Sequence, residues 1–420
     1  MKRHLLIIYP HWPPSNLAGM HRARLVANGA VDSGWHVTVI TVHPDHYEEP
    51  NDAEMTELVR LGVEVIHTGA RPVLRMAGRR LIGDIGIRSY RQLKATAEHW
   101  LKHHKTDFIW MPIPSWYTPL MGAGLSRQFN TPYGVDYIDP WVYQLTQHEP
   151  PLSRAWWTHQ AALILEPRAI RSASIISGVA EAYFAPAVDR TFKNKQRPTT
   201  VAFPYGFDPE DHTKDPVHPS FPFDPSKGRY ILYAGAFLPH SEPIARCLFR
   251  AIATLKRNGF WPHDLRMRFV GTGVRPGPSI SELAEKEGID NIVHEHPSRL
   301  PFLTIQSLLR RAHASLVLGS TEAHYTASKT FQCLLAGKPL MSILHRDSSA
   351  LSFLQECRAD SYSVTWPSPA HELHTRVESV LIALAQAEPD SWNPDLSPLE
   401  QHTATEGTKK LLKAIESLGT

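Results

Sequence analysis

The sequence alternates short apolar segments with longer amphipathic stretches along most of its 420 residues. The first series of apolar segments comprises residues 4–10, 36–42, 63–69, 107–113, 133–139, 174–179 and 201–206. Segments of this length, separated by helix-length stretches, are typical of β-strands joined by helical crossovers. The pattern therefore predicts a parallel sheet built from βαβ units.

The alternation is interrupted between Asp208 and Gly228 by a stretch dense in Pro, Asp and Ser. Such a composition is typical of a linker between domains. A second series of predicted strands then comprises residues 230–237, 265–273, 291–296, 314–320, 339–344 and 361–366. We therefore predict an α/β fold with two doubly wound Rossmann-like domains facing across a cleft.

The two series set the predicted domain boundaries. An N-terminal Rossmann-like domain is predicted for residues 1–207, a linker for 208–228, and a C-terminal Rossmann-like domain for 229–398. Residues 399–420 contain the amphipathic stretch EGTKKLLKAIESL and are predicted to end the chain as a helix.

Composition excludes several classes of protein. The net charge of +3 gives no argument for a nucleic-acid partner. No apolar run approaches the ~20 residues that span a bilayer, and the first apolar run is too short for a signal sequence. The cysteines Cys247, Cys333 and Cys357 lie in apolar stretches without CxxC spacing, which indicates reduced thiols. We therefore expect a cytoplasmic protein whose membrane contact, if any, is peripheral on the inner face.

Ligands of open parallel sheets bind beyond the carboxyl ends of the strands, and two such domains place the site in the cleft between them. Gly19 follows the first strand near a helix start, where a backbone can approach a ligand closely. Gly271-Thr272-Gly273 follows another strand. Each of these patterns is also explained by a plain turn, and neither is a complete GxGxxG motif.

The stretch TEAHYTASKTFQCLLAGKPL, residues 321–340, is the most informative loop. Ser328 can cap a helix that begins near Lys329, so free N–H groups and an ammonium point at one place. Lysine is unfavourable at a helix N-terminus unless an anion compensates it, and a phosphate would do so. We expect Glu322, His324 and Gln332 to surround the same pocket.

Two further patterns contain candidate ligand-binding side chains. In VDYIDPW, Asp136 and Asp139 lie at a strand end, and Asp139 beside Trp141 suits hydroxyl binding with stacking on a sugar ring. The alternative is that Asp139 only forms a turn before proline. In HEH, His294 and His296 share one strand face, but no third ligand is evident, so we predict no metal site.

Residues 71–105 mix basic and apolar side chains, which is typical of a surface that binds anionic membranes. The alternative is that these residues form an ordinary solvent-exposed helix face. The basic residues are Arg71, Arg75, Arg79, Arg80, Arg88, Arg91, Lys94, Lys102 and Lys105, and the apolar ones are Leu74, Met76, Leu81, Ile82, Ile85, Ile87 and Trp100.

Several ordered motifs resemble those of the GT-B fold glycosyltransferases, specifically glycosyltransferase family four. PHWPPSNLAG and GWHVTVITVHP resemble the family's opening loop and following strand, and YIDPW its Asp-Pro-Trp segment. FPYGFDPEDH resembles the turn before the linker, and YAGAF and FVGTG the first strands of the donor domain. TASKTFQCLLAGKPLMSI is similar to the family signature PSKxxEYxAAGxPV. The resemblance covers nearly the whole chain.

The resemblance implies a retaining transfer of a sugar from a nucleoside diphosphate sugar, without a metal or other cofactor. The donor would lie mainly on the C-terminal domain, and the acceptor, a glycan or a lipid-linked glycan, on the N-terminal domain. The final helix, within 399–420, would cross back to the N-terminal domain. A role in surface polysaccharide or glycoconjugate synthesis is the expected function.

The resemblance also implies roles for individual residues. Ser328 and Lys329 would hold the donor diphosphate, Gly19 would approach it from the other domain, and Thr272 would lie near the nucleobase. Lys329 would stabilise the leaving diphosphate, whose oxygen deprotonates the acceptor hydroxyl. The implied donor-binding residues are Gly19, Gly235, Thr272, Glu322, Ser328, Lys329 and Gln332, and the implied catalytic residues are Asp139, Lys329 and His324.

The chain departs from the family pattern at two pairs of residues. Two glutamates usual in the family are replaced by His324 and Gln332, and Gln332 can still hydrogen-bond a diol without a carboxylate's charge. The usual Arg and Lys after the first donor-domain strand are absent. Either Lys329 carries more of the phosphate charge, or an arginine such as Arg275 or Arg22 substitutes.

Two alternative functions share the same fold. A nucleotide-sugar epimerase would need acidic and basic groups around the sugar, and the predicted cleft has few carboxylates. A non-catalytic nucleotide- or glycan-binding subunit would retain the fold without the motif glutamates. A dehydrogenase is disfavoured because no predicted strand is followed by a complete dinucleotide fingerprint.

Overall fold

The computed structural model describes residues 2–49, 51–76, 79–143, 145, 149–193, 196–274, 277–321 and 329–419, with only the backbone described for 76 and 79–82. The strands are β1 His4–Ile8, β2 His36–Val42, β3 Val63–Thr68, β4 Leu74–Met76, β5 Arg79–Ile82, β6 Phe108–Ile113, β7 Tyr133–Tyr137, β8 Ile175–Gly178, β9 Thr199–Ala202, β10 Arg229–Ala234, β11 Leu265–Val270, β12 Val293–His296, β13 Ala314–Leu318, β14 Leu340–His345 and β15 Tyr362–Trp366.

The helices lie between these strands, as expected for crossover connections. They are α1 Ala18–Asp32, α2 Ile85–His103, α3 Gly122–Phe129, α4 Arg154–Ile170, α5 Glu181–Thr191, α6 Glu242–Arg257, α7 Ile280–Lys286, α8 Phe302–Arg311, α9 Thr330–Leu335, α10 Ser349–Glu356, α11 Ala370–Gln386 and α12 Ala404–Ser417. None of the helices in the described part of the chain is long and apolar enough to cross a membrane.

The chain forms two compact units. Residues 1–208 and 401–420 form the first unit, and residues 209–400 form the second. The first unit contains a seven-stranded sheet in the order β3-β2-β1-β6-β7-β8-β9, and the second a six-stranded sheet in the order β12-β11-β10-β13-β14-β15. All neighbouring strands within both sheets are parallel. The predicted pair of doubly wound α/β domains is confirmed.

The sheet of the first unit is buried on both faces because its strands alternate between two apolar clusters. Leu6 and Ile8 pack with residues of α2, α3, α4 and α5. Leu5 and Ile7 point to the opposite face and pack with α1 and α12. Strands covered on both faces are continuously apolar, which is why β1 has the sequence HLLII.

Two local expectations were wrong. A strand was predicted for 201–206, but β9 ends at Ala202, because Pro204 has no N–H for the ladder and Gly206 has a positive φ of 67°. The antiparallel hairpin of β4 and β5, which interrupts the parallel pattern before α2, was also not predicted from the sequence.

The segment predicted to be a linker is attached to the second unit from Pro209 onwards. Arg310 of α8 donates to the carbonyl oxygens of His212 and Lys214, at 2.6 and 2.8 Å. A ring nitrogen of His212 lies 2.8 Å from Oε1 of Gln306. These contacts hold the start of the segment against α8.

The last helix belongs to the first unit. The amide of Ala404 donates to the carbonyl of Phe207 at 2.8 Å, where the chain pairs as an isolated parallel bridge between Phe207 and Thr403. Beyond this bridge, Leu411, Leu412 and Ile415 of α12 join the apolar cluster that covers one face of the first sheet. The second unit is therefore inserted between two segments of the first.

Candidate functional site

Lys329 lies at the carboxyl edge of the second sheet, directly before α9. Its Nζ is 3.4 Å from the hydroxyl of Tyr233 and 3.3 Å from the carbonyl oxygen of Ala236. The same ammonium lies 4.6 Å from the centre of the Tyr233 ring, within the range of a cation–π contact. Tyr233 and Ala236 belong to the end of β10 and the loop after it, so the strand end positions the lysine.

Gly235 is the residue that lets Lys329 approach the strand end so closely. A Cβ built at Gly235 would collide with Cε and Nζ of Lys329. Gly235 also has a φ of +130°, which side-chain-bearing residues rarely adopt, while its N–H donates to Val270 at 2.7 Å. The glycine therefore serves both the backbone turn and the lysine.

The ammonium of Lys329 is desolvated, and burial lowers its pKa from 10.5 to about 8. Within the described parts of the chain, no carboxylate forms a salt bridge with it. A cation in a partly dry site without a counter-ion is stabilised when an anion binds. The surroundings of Lys329 are therefore suited to an anionic ligand.

Thr272 lies on the neighbouring loop after β11 and is buried, with 3% of its surface exposed. Its hydroxyl donates to Oε1 of Glu295 at 2.6 Å, and the other oxygen of Glu295 accepts from the N–H and hydroxyl of Ser281 at 3.0 and 3.1 Å. The amide of Phe237 donates to the carbonyl of Thr272 at 3.0 Å, which joins this loop to the one after β10. Gly235, Thr272 and Lys329 are thus brought to one edge of the second unit.

Glu295 was missed by the sequence analysis, which considered only the flanking His294 and His296. The sequence signal for Glu295 was its position between the two histidines, which places its side chain on the opposite face of the strand. Burial and the charges of Arg268 and Arg266 lower the pKa of His294. Among the residues described, no group of three potential metal ligands occurs.

The remaining candidates of the second unit are only partly described. Glu322, His324 and Ser328 lie outside the described residues, as does Arg275, so their predicted roles stay predictions. Gln332 lies in α9 with a half-buried side chain. Its amide has no hydrogen-bond partner among the described side chains and is free to bind a ligand.

In the first unit, Gly19 is explained by its neighbour Tyr9. A Cβ built at Gly19 would collide with the hydroxyl of Tyr9, which donates to the carbonyl of Pro114 at 2.5 Å. Burial raises the pKa of Tyr9 well above its usual value. The packing of α1 on this tyrosine requires a glycine even without a ligand.

Asp136 and Asp139 lie in different environments. Asp136 is fully buried and forms a two-bond ion pair with Arg22, with both N–O distances 3.0 Å. Ser177 also donates to Asp136 at 2.6 Å. Asp139, in contrast, is exposed, although partial desolvation raises its pKa. Only Asp139 is placed to meet a ligand.

The same network overturns the suggestion that Arg22 substitutes for a missing phosphate ligand. Arg22 has no exposed surface, and its remaining donors bind the carbonyl oxygens of Phe203 and Pro204 at 3.1 and 2.9 Å. The expectation for Trp141 was also wrong, because the ring is 5% exposed and packs against Trp116 with centroids 6.0 Å apart. Trp141 is therefore a core residue and cannot stack on a sugar.

The loop after β1 is held by a polar cluster that sequence reasoning did not find. A ring nitrogen of His11 lies 2.8 Å from Oε1 of Glu49, and the Ser15 hydroxyl donates to the same oxygen at 2.7 Å. Burial opposes ionisation of Glu49, yet the bonds to His11 and Ser15 and the charge of His11 lower its pKa to about 2. His11 and Ser15 lie on the loop after β1 and Glu49 on the loop after β2, so nothing in the local sequence connects the carboxylate with its two partners.

The basic and apolar residues of 71–105 are divided between core and surface. Ile85 and Trp100 are buried, and so is Arg88, which binds the carbonyl oxygens of Arg71 and His46 at 2.9 and 3.2 Å. The side chains of residues 76–82, including those of Arg79 and Arg80, lie outside the described residues. The exposed side chains include Leu74 and Ile87, at 55% and 37%, with Arg71, Arg75, Arg91, Lys102 and Lys105.

The sequence matches no known family model and no curated protein. Solved structures, in contrast, match over nearly the whole chain. Anabaena HepE in complex with UDP and glucose aligns over 99% of this chain and 100% of its own, with 14% identity and a TM-score of 0.58. The sucrose-phosphate synthase of Thermosynechococcus elongatus covers 100% and 98%, with 15% identity and a TM-score of 0.55. A UDP-forming trehalose-phosphate synthase from Burkholderia xenovorans covers 100% of both chains, with 12% identity and a TM-score of 0.56.

These proteins are glycosyltransferases of the GT-B fold. This chain has the GT-B fold. The GT-B prediction is thereby confirmed, whereas membership of glycosyltransferase family four stays a prediction. In this GT-B chain, Gly235, Thr272, Lys329 and Gln332 belong to the second unit, and Gly19 and Asp139 to the first.

Proposed function

We propose that the chain is a glycosyltransferase that moves a sugar from a nucleoside diphosphate sugar to a glycan or lipid-linked acceptor. The observation that carries the proposal is the ammonium of Lys329, desolvated beside Gly235 and without a carboxylate partner among the described residues. The proteins that share the fold support this choice of anion, since HepE was solved with UDP-glucose. Retention, independence of metals and a role in surface polysaccharide synthesis are parts of the same proposal.

The donor would be held by the carboxyl edge of the second unit. Lys329 would neutralise the charge that develops on the diphosphate as its bond to the sugar breaks, and fixed cations of this kind contribute strongly to catalysis. The amide of Gln332, which has no hydrogen-bond partner among the described residues, would hydrogen-bond a diol of the donor. Ser328 and Glu322 are proposed donor-binding residues, with Thr272 near the nucleobase.

The acceptor would lie at the carboxyl edge of the first unit. A departing phosphate oxygen would take the proton of the acceptor hydroxyl, so that no protein nucleophile is needed. Asp139, which is exposed and follows β7, would orient the acceptor or the sugar. His324 is a further proposed catalytic residue, and Gly19 would approach the donor from this unit.

The test is a panel of nucleoside diphosphate sugars with release of the nucleoside diphosphate as the readout. We expect one donor to be cleaved, with EDTA leaving the rate unchanged. Lys329→Ala should lower this rate by about 10²-fold, the usual effect of losing one preorganised charge donor. Lys286→Ala is the matched control, because Lys286 is an exposed lysine of the same unit.

The outcomes separate the alternatives. An unchanged release rate in Lys329→Ala would refute the assignment of the lysine. Tight binding of a nucleotide without any release from the panel would instead favour a non-catalytic binding subunit. Interconversion of the donor sugar without transfer would favour an epimerase.

A further inference from the structure

A groove of about 320 Å³ lies on the first unit, at the carboxyl ends of β3 and β6. Arg71 from the loop after β3, the first two turns of α2, and Tyr117 and Leu120 after β6 form its walls. Carboxyl ends of parallel strands are where open sheets bind ligands. The groove is therefore at the functional edge of this sheet, although none of its residues has a role in the proposed transfer.

The walls of the groove are fixed to each other. A Cβ built at Gly86 would collide with the hydroxyl oxygen of Ser115, so α2 touches the loop after β6. Asp84 caps α2 by accepting from the amide of Ile87 at 3.1 Å, and it also accepts from Ser115 at 3.3 Å. The groove is a preformed feature of the packing between helix and loop.

The rim of the groove is positively charged. The exposed side chains of Arg71 and Arg91 line it, and in the part of the chain that the structure describes neither pairs with a carboxylate. The acids nearby are engaged, since Asp84 caps the helix and Glu48 lies 3.7 Å from Arg88. Two free guanidinium groups at one opening are suited to a phosphate ester.

Two residues that line the groove each have a buried polar atom without a hydrogen-bond partner among the described residues. Arg88 and Gln92 line the groove from α2, and Nε of Arg88 and Oε1 of Gln92 make no hydrogen bond. Buried donors and acceptors left unpaired cost free energy, so natural proteins rarely keep them without a ligand or water. A headgroup with both phosphate oxygens and hydroxyl groups would satisfy this donor and this acceptor once the two side chains turn into the groove.

The rest of the lining is apolar or aromatic. Tyr90, Tyr117 and Leu120 lie in the groove with Ile87, which is 37% exposed. Leu74, on the hairpin that precedes α2, is 55% exposed. Exposed aliphatic and aromatic side chains next to arginines are typical of surfaces that sit at a lipid–water interface.

We propose that this groove binds the phosphate headgroup of an anionic phospholipid and so docks the first unit on a membrane. This proposal goes beyond the proposed function and rests on it only for the nature of the acceptor. The proposed lipid-binding surface is smaller than the basic stretch 71–105. It consists of two arginines, two unpaired polar atoms and an apolar lining. A lipid-linked acceptor would then be presented at the same sheet edge as Asp139.

The test is co-sedimentation of the full chain with vesicles of phosphatidylcholine containing phosphatidylglycerol, compared with pure phosphatidylcholine. Each basic residue near an anionic surface strengthens binding about fivefold, so R71A/R91A should bind about 25-fold more weakly. The matched control is K102A/K105A, which removes the same charge from exposed positions at and just beyond the far end of α2. Gln92→Leu should also weaken binding, since it removes the buried acceptor without changing charge.

Three results would overturn the proposal. The first is that the wild-type chain does not bind the anionic vesicles, and the second is that both double variants lose vesicle binding equally. The third is that soluble glycerol phosphate competes fully with the vesicles for binding. The last result would indicate a site for a soluble phosphate. Release of nucleoside diphosphate from the donor, measured without vesicles, should be unchanged in R71A/R91A, so a failed transferase assay and a failed lipid assay remain distinguishable.

Discussion

Lys329 holds its charge against a strand end where little water reaches it, and this makes the charge sensitive to pH. Burial lowers its pKa to about 8, so the free protein loses this positive charge as the pH rises through that value. An anion binds the protonated form, hence the affinity for the nucleoside diphosphate should fall about tenfold between pH 7 and 9.

Isothermal titration of the nucleoside diphosphate across this range measures the effect. Lys329→Arg is the control, because a guanidinium stays charged throughout and should remove most of the pH dependence. If Lys329→Ala kept the same pH dependence as the wild type, another group would be responsible.

Gly19 offers a test of packing that is separate from any ligand. In Gly19→Ala the new methyl group would overlap the Tyr9 hydroxyl, and such overpacking costs about 1–3 kcal/mol of unfolding free energy. Gly124→Ala, in α3, has open space around its Cβ and should be neutral or stabilising by about 0.5–1 kcal/mol. Urea denaturation of both variants measures the difference.

The addition of Tyr9→Phe to Gly19→Ala removes the overlapping oxygen and should restore part of the loss. If the stability is not restored, the backbone at the helix start, and not the Tyr9 hydroxyl, requires glycine at position 19. The same comparison also shows why a glycine near a strand end is weak evidence for a ligand, since packing alone accounts for it.

At the scale of the element, the ion pair of Arg22 and Asp136 connects α1 to β7. The hydrogen bond from Ser177 to Asp136 connects β8 to the same pair. Asp136→Ala leaves a fully buried guanidinium without its partner, which should cost about 3–5 kcal/mol of unfolding free energy. Asp139→Ala, three residues later but exposed, should change stability by about 0.5 kcal/mol or less.

Denaturation midpoints and sugar transfer, measured on both variants, separate the two aspartates. Asp139→Ala should keep the fold and lose transfer, whereas Asp136→Ala should lose stability. Equal destabilisation by both changes would contradict the assignment of Asp136 to the core and Asp139 to the ligand.

These two aspartates also show what the sequence can predict at this scale. The apolar segments predicted both parallel sheets, because strands covered on two faces must be continuously apolar. The same pattern cannot tell a buried aspartate from an exposed one two or three residues later, since that depends on whether an arginine from another element reaches it. The hairpin of β4 and β5 was missed because its arginine-rich sequence has no apolar alternation.

At the scale of the whole molecule, α12 completes the core of the first unit although it lies at the far end of the chain. A chain ending at Glu400 lacks the buried side chains of Leu411, Leu412 and Ile415, each worth about 1.5–3 kcal/mol. We expect the first unit to be strongly destabilised and the second to stay folded. Hydrogen exchange should show loss of protection in β1–β9 and retained protection in β10–β15.

The matched control is a chain ending at Ser417, which keeps α12 and removes only the residues beyond it. It should exchange as the full chain does. Loss of protection in both units after the longer truncation would mean that they unfold as one.

Because the chain returns to its first unit, the order in which the two units can fold during synthesis is also determined. Protein synthesis releases the chain from its N-terminus, so a domain made of contiguous residues can fold as soon as it leaves the ribosome. The second unit meets this condition once residue 400 has emerged. The first unit, although made earlier, must wait for residues 401–420, and during that interval the sheet face formed by Leu5 and Ile7 lacks the cover of α12 and is open to chaperones.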